Sequence, residues 1–330
     1  MLAIQRPQTA HKRRAWTHIG SVDGCNARFA EKGNLLVHRR IHQPPKKEKK
    51  TSYSVFASPK KTRRGEYRNG EWRTEAEYIP IASLVVTMPL GSIKAMTFNI
   101  HWGVGGDGVY DLERIAAVLR AERPDYVALQ EVHFHTSEFA ENQASAIAQR
   151  ASMHYFFHPV MSGTPRDRDG PGSYGNAILT REPIAQTKVA HFPLGSGYSR
   201  SQEPRGACAV RTVSDPFWFV STHLGCDVTG YEQCAAIPTL DAFASSLPTD
   251  TVVMGGDLNS YSVLRAPRTL VTTHGWTDLW YEWARKNGCG YLDGCTMPAW
   301  RPWQRLDYLY ARGPRLVPHQ AKVVPLPAPR

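Results

Sequence analysis

The chain has 330 residues, of which 40 are Lys or Arg and 29 are Asp or Glu, so its formal net charge is +11. The charge excess lies in the first 75 residues, which carry 18 basic and 6 acidic side chains, whereas the rest of the chain carries 22 and 23. The near-neutral part lacks the basic surface that a duplex-binding nuclease favours, and it is long enough for a sizeable core.

Several classes of protein are excluded by composition. No segment approaches the ~20 consecutive apolar residues that a transmembrane helix requires, and the N-terminus has no apolar region typical of a secretory signal. A mitochondrial presequence stays open, because the first acidic residue is Asp23. Six irregularly spaced cysteines do not form the pattern of a disulfide scaffold, so we expect free thiols and an intracellular location, cytoplasmic or nuclear.

The first motif runs from Cys25 to His42 and resembles the second half of a C2H2 zinc finger. Cys25, His38 and His42 stand at the spacing of the last three ligands of such a finger. The first cysteine is missing, because Val22 and Gly20 occupy its two usual positions. Three ligands bind zinc more weakly than four. We therefore interpret residues 1–42 as a basic tail with a degenerate half finger and no stable zinc; zinc binding through these three residues is the alternative.

Residues 43–90 are expected to form a disordered basic linker. Lys, Pro, Ser and Gly dominate the first part of this segment, and its apolar residues follow no helical or strand periodicity there. The clusters Lys46–Lys50 and Lys60–Arg64 are typical of a nuclear-import signal or of a segment that binds nucleic acid non-specifically. A solvated tail that keeps the protein soluble is an equally good interpretation.

Strands and helices alternate from residue 91 onward, which predicts an α/β domain over residues 91–330. The apolar spacing after Asp111 predicts an amphipathic helix with that residue as its N-cap. A second helix is predicted in the segment that begins at Tyr231. The predicted strands are, in chain order, IKAMTFNI, YVALQEV, NAILTREP, GACAVRTV, FWFVSTHL, TVVMGGDLN and RLDYLYAR.

Polar side chains stand at the ends of these apolar runs, where an α/β scaffold presents rigid functional groups. They are carboxylates, amides and one imidazole, namely Asn99, Glu131, Asn176, His223, Asp257, Asn259 and Asp307. Gathered at one edge, such oxygen donors would suit Mg²⁺ or Mn²⁺. One polar strand end alone would be an ordinary capped strand, but seven in order predict a site.

The segments TFNIHWG, ALQEV, YGNAIL, PRGA, STHL, GGDLN and RLDYLY, in this order and spacing, resemble the endonuclease/exonuclease/phosphatase superfamily. The similarity is greatest to its small metal-dependent hydrolases and its neutral-sphingomyelinase-like members. It covers some 230 residues, from about Lys94 to about Val324. This resemblance implies a four-layer α/β sandwich, in which two mixed β-sheets pack back to back with helices outside.

The resemblance also implies roles for individual residues. Glu131 would be the principal Mg²⁺ ligand, with Asn99 beside it. Asp257 would position or deprotonate the attacking water, and Asn259 would bind a phosphate oxygen and assist at the metal. These roles agree with the chemistry, because a phosphodiester anion needs a cation for the charge that builds on its oxygens.

The same resemblance places His223 on the scissile phosphate, Asn176 in the pocket wall, and Asp307 behind a catalytic histidine. Members of the superfamily carry that histidine in a Ser-Asp-His triplet some 20 to 25 residues after the aspartate, and no such triplet follows Asp307 here. We therefore expect a C-terminally truncated domain without its last strand and with impaired activity. His319 could replace the missing imidazole.

The sequence thus predicts an Mg²⁺-dependent hydrolase of phosphodiester bonds, whose substrate (a lipid, a nucleotide or a nucleic acid) is left open. The alternative is a catalytically inactive protein that binds nucleic acid or a phosphate ligand through its basic N-terminal tail. For Arg205, in the segment PRGA, a bridge to phosphate and a purely structural brace are both open.

Overall fold

A computed structural model describes residues 83–88, 93–193, 203–227, 229–298, 302–314 and 318–324, together with four short strand segments nearer the N-terminus. The chain divides into two compact units, Met1–Lys61 and Thr62–Arg330. In the first unit His18–Ile19 pairs antiparallel with Arg28–Phe29. The second unit begins with the antiparallel pair Glu66–Arg68 and Glu71–Arg73, followed by the α/β body.

Among the residues that the structure describes, twelve strands and five α-helices build this body. The strands are β1 Ser83–Thr87, β2 Lys94–Asn99, β3 Tyr126–Phe134, β4 His154–Ser162, β5 Ser173–Thr180, β6 Ile184–His191, β7 Gly206–Thr212, β8 Trp218–His223, β9 Val252–Asp257, β10 Thr277–Asp278, β11 Asp307–Arg312 and β12 Gln320–Val324. The helices are α1 Leu112–Glu122, α2 Gln143–Ala151, α3 Tyr231–Ser245, α4 Arg265–Thr272 and α5 Leu279–Asn287, and two 3₁₀ turns span His101–Gly103 and Tyr291–Gly294.

The strands form two mixed six-stranded sheets. The first has the order β12-β1-β2-β3-β5-β4 and the second the order β6-β7-β8-β9-β11-β10. The neighbours β2 and β3 run parallel, as do β8 and β9, and the other neighbours run antiparallel. The predicted α/β sandwich of two mixed sheets with helices is confirmed.

The layers follow from the alternation of side chains along each strand. In β8, Phe219 packs into the core between the sheets, while Trp218 and Val220 pack into the core beneath α3 and α4. A third core lies beneath α1 and α2, where Ile115 and Leu119 of α1 are buried. Helices therefore cover the outer face of each sheet, and the space between the sheets is mainly apolar, with the polar side chains of Thr97 and Ser221 within it.

The predicted elements are found with small shifts at their ends. Asp111 caps α1 and accepts a hydrogen bond from the Glu113 backbone N–H at 2.8 Å, as predicted. Strand β1 falls inside residues 43–90, which the sequence analysis assigns to the linker, and it pairs with both β2 and β12. The sheet therefore includes residues before the predicted domain start at 91. Within the described ranges no helix is long and apolar enough for a membrane span.

Candidate functional site

The site lies at one end of the space between the two sheets. Asn99, His223, Asp257 and Asp307 stand at the ends of their strands, and each is buried. Their strand positions alternate in phase with neighbours in the inter-sheet core, such as Leu309 in β11. The strand pairing puts His223 beside Asp257 and Asp257 beside Asp307. Strand pairing within the second sheet thus brings three of the predicted polar residues side by side.

The Asn99 side chain joins two carboxylates that come from different sheets. Its Nδ2 donates to Glu131 Oε1 at 2.9 Å and to Asp257 Oδ2 at 3.1 Å. Its Oδ1 accepts a hydrogen bond from the His101 backbone N–H at 3.0 Å, which fixes the plane of the amide. Asn99, Glu131 and Asp257 therefore form one compact cluster of oxygen-bearing groups.

Glu131 reaches this cluster because β3 contains a bulge. Gln130 and Glu131 together lie opposite the single residue Asn176, between the flanking pairs Leu129–Ala177 and Val132–Gly175. Glu131 adopts a φ of 59°, a left-handed conformation that is uncommon for a residue with a long side chain. Such backbone conformations concentrate at functional sites, and here it re-aims a carboxylate at the end of the strand.

Asp257 is held from its own loop as well as from the opposite sheet. Its Oδ1 accepts a hydrogen bond from the Asn259 backbone N–H at 2.8 Å, and the φ of 46° at Asn259 is one that asparagine tolerates. Burial raises the pKa of Asp257 to about 6, the bond from Asn99 lowers it, and the nearby Glu131 charge adds to the rise. Near neutral pH this carboxyl can therefore take up and release a proton.

His223 lies between the side chains of Arg205 and Asn259. Arg205 Nη1 is 2.8 Å from His223 Nδ1, and Asn259 Nδ2 is 3.0 Å from His223 Nε2. Burial, and then the Arg205 charge, lower the pKa of His223 well below its usual value, so the ring is neutral. Arg205 is itself buried and forms an ion pair with Glu203 at 2.7 Å.

Asn176 lies in the same region but makes a contact of a different kind. Its Nδ2 donates to the Gly206 carbonyl at 3.0 Å, a bond that links β5 of one sheet to β7 of the other. Asn176 is thus buried next to the Glu131 bulge and beside the strand that follows Arg205.

Asp307 is fully buried at the start of β11, and neither of its carboxylate oxygens has a hydrogen-bond partner among the described residues. Burial raises its pKa well above the usual value and the neighbouring Asp257 charge adds to this, while the Thr296 hydroxyl, nearby but not within hydrogen-bond geometry, offsets part of the rise. His319 is exposed just before β12, and its backbone N–H donates to Thr87. His319 and Asp307 have no hydrogen bond between them.

The sequence from residue 96 to residue 330 matches the sequence model of the Endonuclease/Exonuclease/phosphatase family. The chain belongs to this family. No match was found among curated proteins.

Solved structures of other proteins share the fold. The chain is similar to an endonuclease/exonuclease/phosphatase from Beutenbergia cavernae, with 23% identity and a TM-score of 0.51 over 71% of this chain and 64% of that one, so it spans less than two thirds of that protein. It is similar to the human nocturnin catalytic domain with bound sulfate anion, with 16% identity and a TM-score of 0.51 over 70% of this chain and 86% of that one. It is also similar to an endonuclease/exonuclease/phosphatase family protein from Leptotrichia buccalis, with 17% identity and a TM-score of 0.50 over 66% of this chain and 87% of that one.

The donor set of this family member fits a hard cation. Glu131 and Asp257 supply carboxylate oxygens on either side of the Asn99 amide. The Asn99 Nδ2 faces both carboxylates and its Oδ1 accepts from the His101 backbone N–H, so this amide would have to rotate to offer its oxygen to a cation. Mg²⁺ is usually held by one or two carboxylates and keeps several waters, so a full protein cage is not needed. In the described ranges no three His, Cys, Asp or Glu side chains converge as a metal cluster.

The proposed zinc ligands Cys25, His38 and His42 lie outside the described residues, so that interpretation stays a prediction. Glu203, two residues before Arg205, is not among the site residues predicted from the sequence. Its ion pair with Arg205 places it at the site.

Proposed function

We propose that this chain hydrolyses phosphodiester bonds with a divalent cation, Mg²⁺, held at Glu131 and Asn99. The observation that carries the proposal is the cluster in which the Asn99 amide contacts Glu131 and Asp257 at 2.9 and 3.1 Å. Family membership supports a hydrolase of this type. When bound, the cation would neutralise charge on the phosphate oxygens.

Asp257 is the proposed base for the attacking water. Burial raises its pKa to about 6, so near neutral pH the ionised form predominates and still has a useful affinity for a proton. Its Oδ1 is anchored by the Asn259 backbone N–H, which keeps the carboxylate oriented while its charge changes.

His223 and Asn259 are the proposed donors to the phosphate, and Asn176 lines the same pocket. The Asn259 amide lies 3.0 Å from His223 Nε2, so one phosphate oxygen can be reached by both groups. Fixed donors of this kind stabilise the charge that develops in the transition state without having to reorganise.

We further propose that the rate is reduced. In the superfamily that the sequence resembles, the aspartate at the position of Asp307 orients a catalytic histidine, and here its carboxylate has no partner among the described residues. Loss of one positioned electrostatic donor typically lowers kcat about 10²- to 10³-fold.

The test is hydrolysis of bis-p-nitrophenyl phosphate in the presence of Mg²⁺ by the full chain, by Glu131→Gln and by Asp257→Asn. The surface variant Glu113→Gln serves as the control, because that carboxylate pairs with Arg120 on the exposed face of α1. We expect activity in the full chain and the control, and a loss of at least about 10²-fold in the two site variants. Equal rates in all four proteins would refute the proposal.

A second candidate rests on the distribution of charge. The first 75 residues carry 18 basic and 6 acidic side chains, which favours an inactive protein that binds nucleic acid or a phosphate ligand through this tail. The logarithm of the binding constant would then fall linearly with the logarithm of the salt concentration, and Glu131→Gln would leave the binding constant unchanged.

A further inference from the structure

The guanidinium of Arg205 is built into the site and is unlike an ordinary surface arginine. It is 8% exposed, its Nη2 forms an ion pair with Glu203 at 2.7 Å, and its Nη1 lies 2.8 Å from His223 Nδ1. Arginine keeps its charge at all relevant pH values and carries only donors, so the contact with the imidazole has one possible direction. Arg205 donates and His223 Nδ1 accepts.

Because the His223 Nδ1 accepts a hydrogen bond, the position of the proton on the imidazole ring is determined. A neutral imidazole has one N–H and one nitrogen lone pair, so a ring that accepts at Nδ1 carries its hydrogen on Nε2. Burial and the Arg205 charge keep the pKa of His223 far below its usual value, in agreement with a neutral ring.

The other side of the ring shows that the Nε2 hydrogen lacks a good acceptor. The nearest polar atom is Asn259 Nδ2 at 3.0 Å, which already donates to the Leu224 carbonyl at 3.1 Å and is itself a donor. Asp257 Oδ2 is 3.9 Å away, beyond hydrogen-bond distance. With the proton on Nε2, the contact with Asn259 Nδ2 at 3.0 Å joins two N–H donors, and an oxygen atom of a ligand that accepts from both nitrogens would satisfy them.

We propose that Arg205 is a positioning residue that holds His223 in the tautomer with its proton on Nε2, so that the ring offers an N–H to an oxygen of the bound phosphodiester. The inference rests on the proposed function for the identity of the ligand, whereas the tautomer is a property of the free protein.

The arrangement is the reverse of one in which a carboxylate accepts from Nδ1–H. A carboxylate there leaves a lone pair on Nε2 and makes the histidine a general base. With a guanidinium at Nδ1, Nε2 has no free lone pair, and His223 acts as a donor. The proton of the attacking water is then left to Asp257, so the two buried groups have different tasks.

The experiment is nitrogen-15 NMR of the full chain labelled at the histidine rings, without metal or substrate, with the His223 signals identified by their loss in His223→Gln. We expect a protonated Nε2 and an unprotonated Nδ1. In Arg205→Met the proton should move to Nδ1, because Nε2 is then free to accept from Asn259. Arg205→Lys, which retains a donor, should restore the original tautomer, and Glu203→Gln should leave it unchanged.

A protonated Nδ1 in the unmodified chain would overturn the proposal, and so would an unchanged tautomer in a folded Arg205→Met protein. If Arg205→Met does not fold, the unmodified chain and Arg205→Lys decide the question. With bis-p-nitrophenyl phosphate and Mg²⁺, Arg205→Met should lower kcat about 10²-fold while Arg205→Lys recovers much of it. An unmodified chain with the expected tautomer and no hydrolysis would refute the proposed function alone.

Discussion

Asp257 and Asp307 lie directly opposite each other on the antiparallel strands β9 and β11, and both are buried. Residues paired in this way point to the same face of a sheet, with Cβ atoms about 5 Å apart. Among the described residues, Asp257 accepts hydrogen bonds from Asn99 and Asn259, whereas the Asp307 carboxylate accepts none. The pair therefore places the anchored carboxyl of Asp257 next to that of Asp307, which accepts no hydrogen bond from the described residues. Burial therefore disfavours the ionised form of Asp307 more than that of Asp257.

Asp307→Asn is expected to stabilise the metal-free chain at neutral pH by on the order of 1 kcal/mol. The folded-state pKa of Asp307 is raised, so the folded chain binds a proton that the unfolded chain releases, and its stability falls as pH rises above the ordinary aspartate pKa. The stability difference between variant and unmodified chain should grow with pH. Urea unfolding at a series of pH values measures it.

Asp278→Asn is the matched control for this change. Asp278 is also a buried carboxylate, but it receives two hydrogen bonds from the buried Arg305, one of them at 2.9 Å. The substitution removes the charge that balances Arg305 and should destabilise the fold by about 3 kcal/mol. Destabilisation by both substitutions would show that Asp307 does have a stabilising partner.

Mg²⁺ is expected to stabilise the folded chain through Glu131. A ligand present at ten times its Kd adds about 1.4 kcal/mol to the free energy of unfolding, which raises Tm by a few degrees. Glu131→Gln should abolish this rise and EDTA should reverse it. In Glu113→Gln the shift should persist. A shift of the same size in Glu131→Gln would place the cation elsewhere.

His158 is expected to make the chain less stable under mildly acidic conditions. The ring is buried in β4, and burial, followed by the nearby His191, lowers its pKa to about 4. The unfolded chain therefore binds more protons as pH falls from about 6.5 to about 4, and stability is lost by up to about 1.4 kcal/mol per pH unit. His158→Gln should reduce this slope of the free energy of unfolding against pH.

The exposed His154 on the same strand provides the control for His158. His154→Gln should leave the slope as it is in the unmodified chain, because an exposed ring can be protonated without loss of packing. Identical slopes for both variants would mean that His158 does not control acid stability.

Gly255→Ala is expected to destabilise the fold by about 1–3 kcal/mol through overpacking between the sheets. A Cβ at this position would lie 2.9 Å from the Ala128 Cβ and 3.2 Å from side-chain atoms of Leu309 and Thr97. Gly290→Ala is the control, since its new Cβ would meet nothing closer than 3.6 Å. Thermal unfolding compares the two; equal Tm values would show that the sheets can separate at little cost.

Most of the candidate site could be predicted because its residues stand at strand ends. The apolar runs that end at Asn99, His223 and Asp257 are strong strand signals, and the strands meet at one edge of the stacked sheets. The helix α1 was predicted for a similar local reason, since its N-cap Asp111 and its apolar spacing are both visible in the sequence.

Other features could not be predicted because they depend on distant partners. Strand β6 is mostly exposed and has no apolar alternation, and its pairing with β7 defines it. Strand β1 is short and lies between prolines, and it is a strand because β2 and β12 flank it. The contact of Arg205 with His223 likewise depends on how the segment before β7 approaches the end of β8.

The bulge in β3 changes which face each residue of that strand occupies. Tyr126 and Ala128 pack between the sheets and Val127 packs beneath the helices, but beyond the bulge it is the even-numbered Val132 that packs beneath the helices. Removal of Glu131 would restore a regular alternation with every apolar side chain still on its present face. The carboxylate on which the metal proposal depends is thus a one-residue insertion in an otherwise regular strand, and loss of a single codon could abolish the chemistry while keeping the fold.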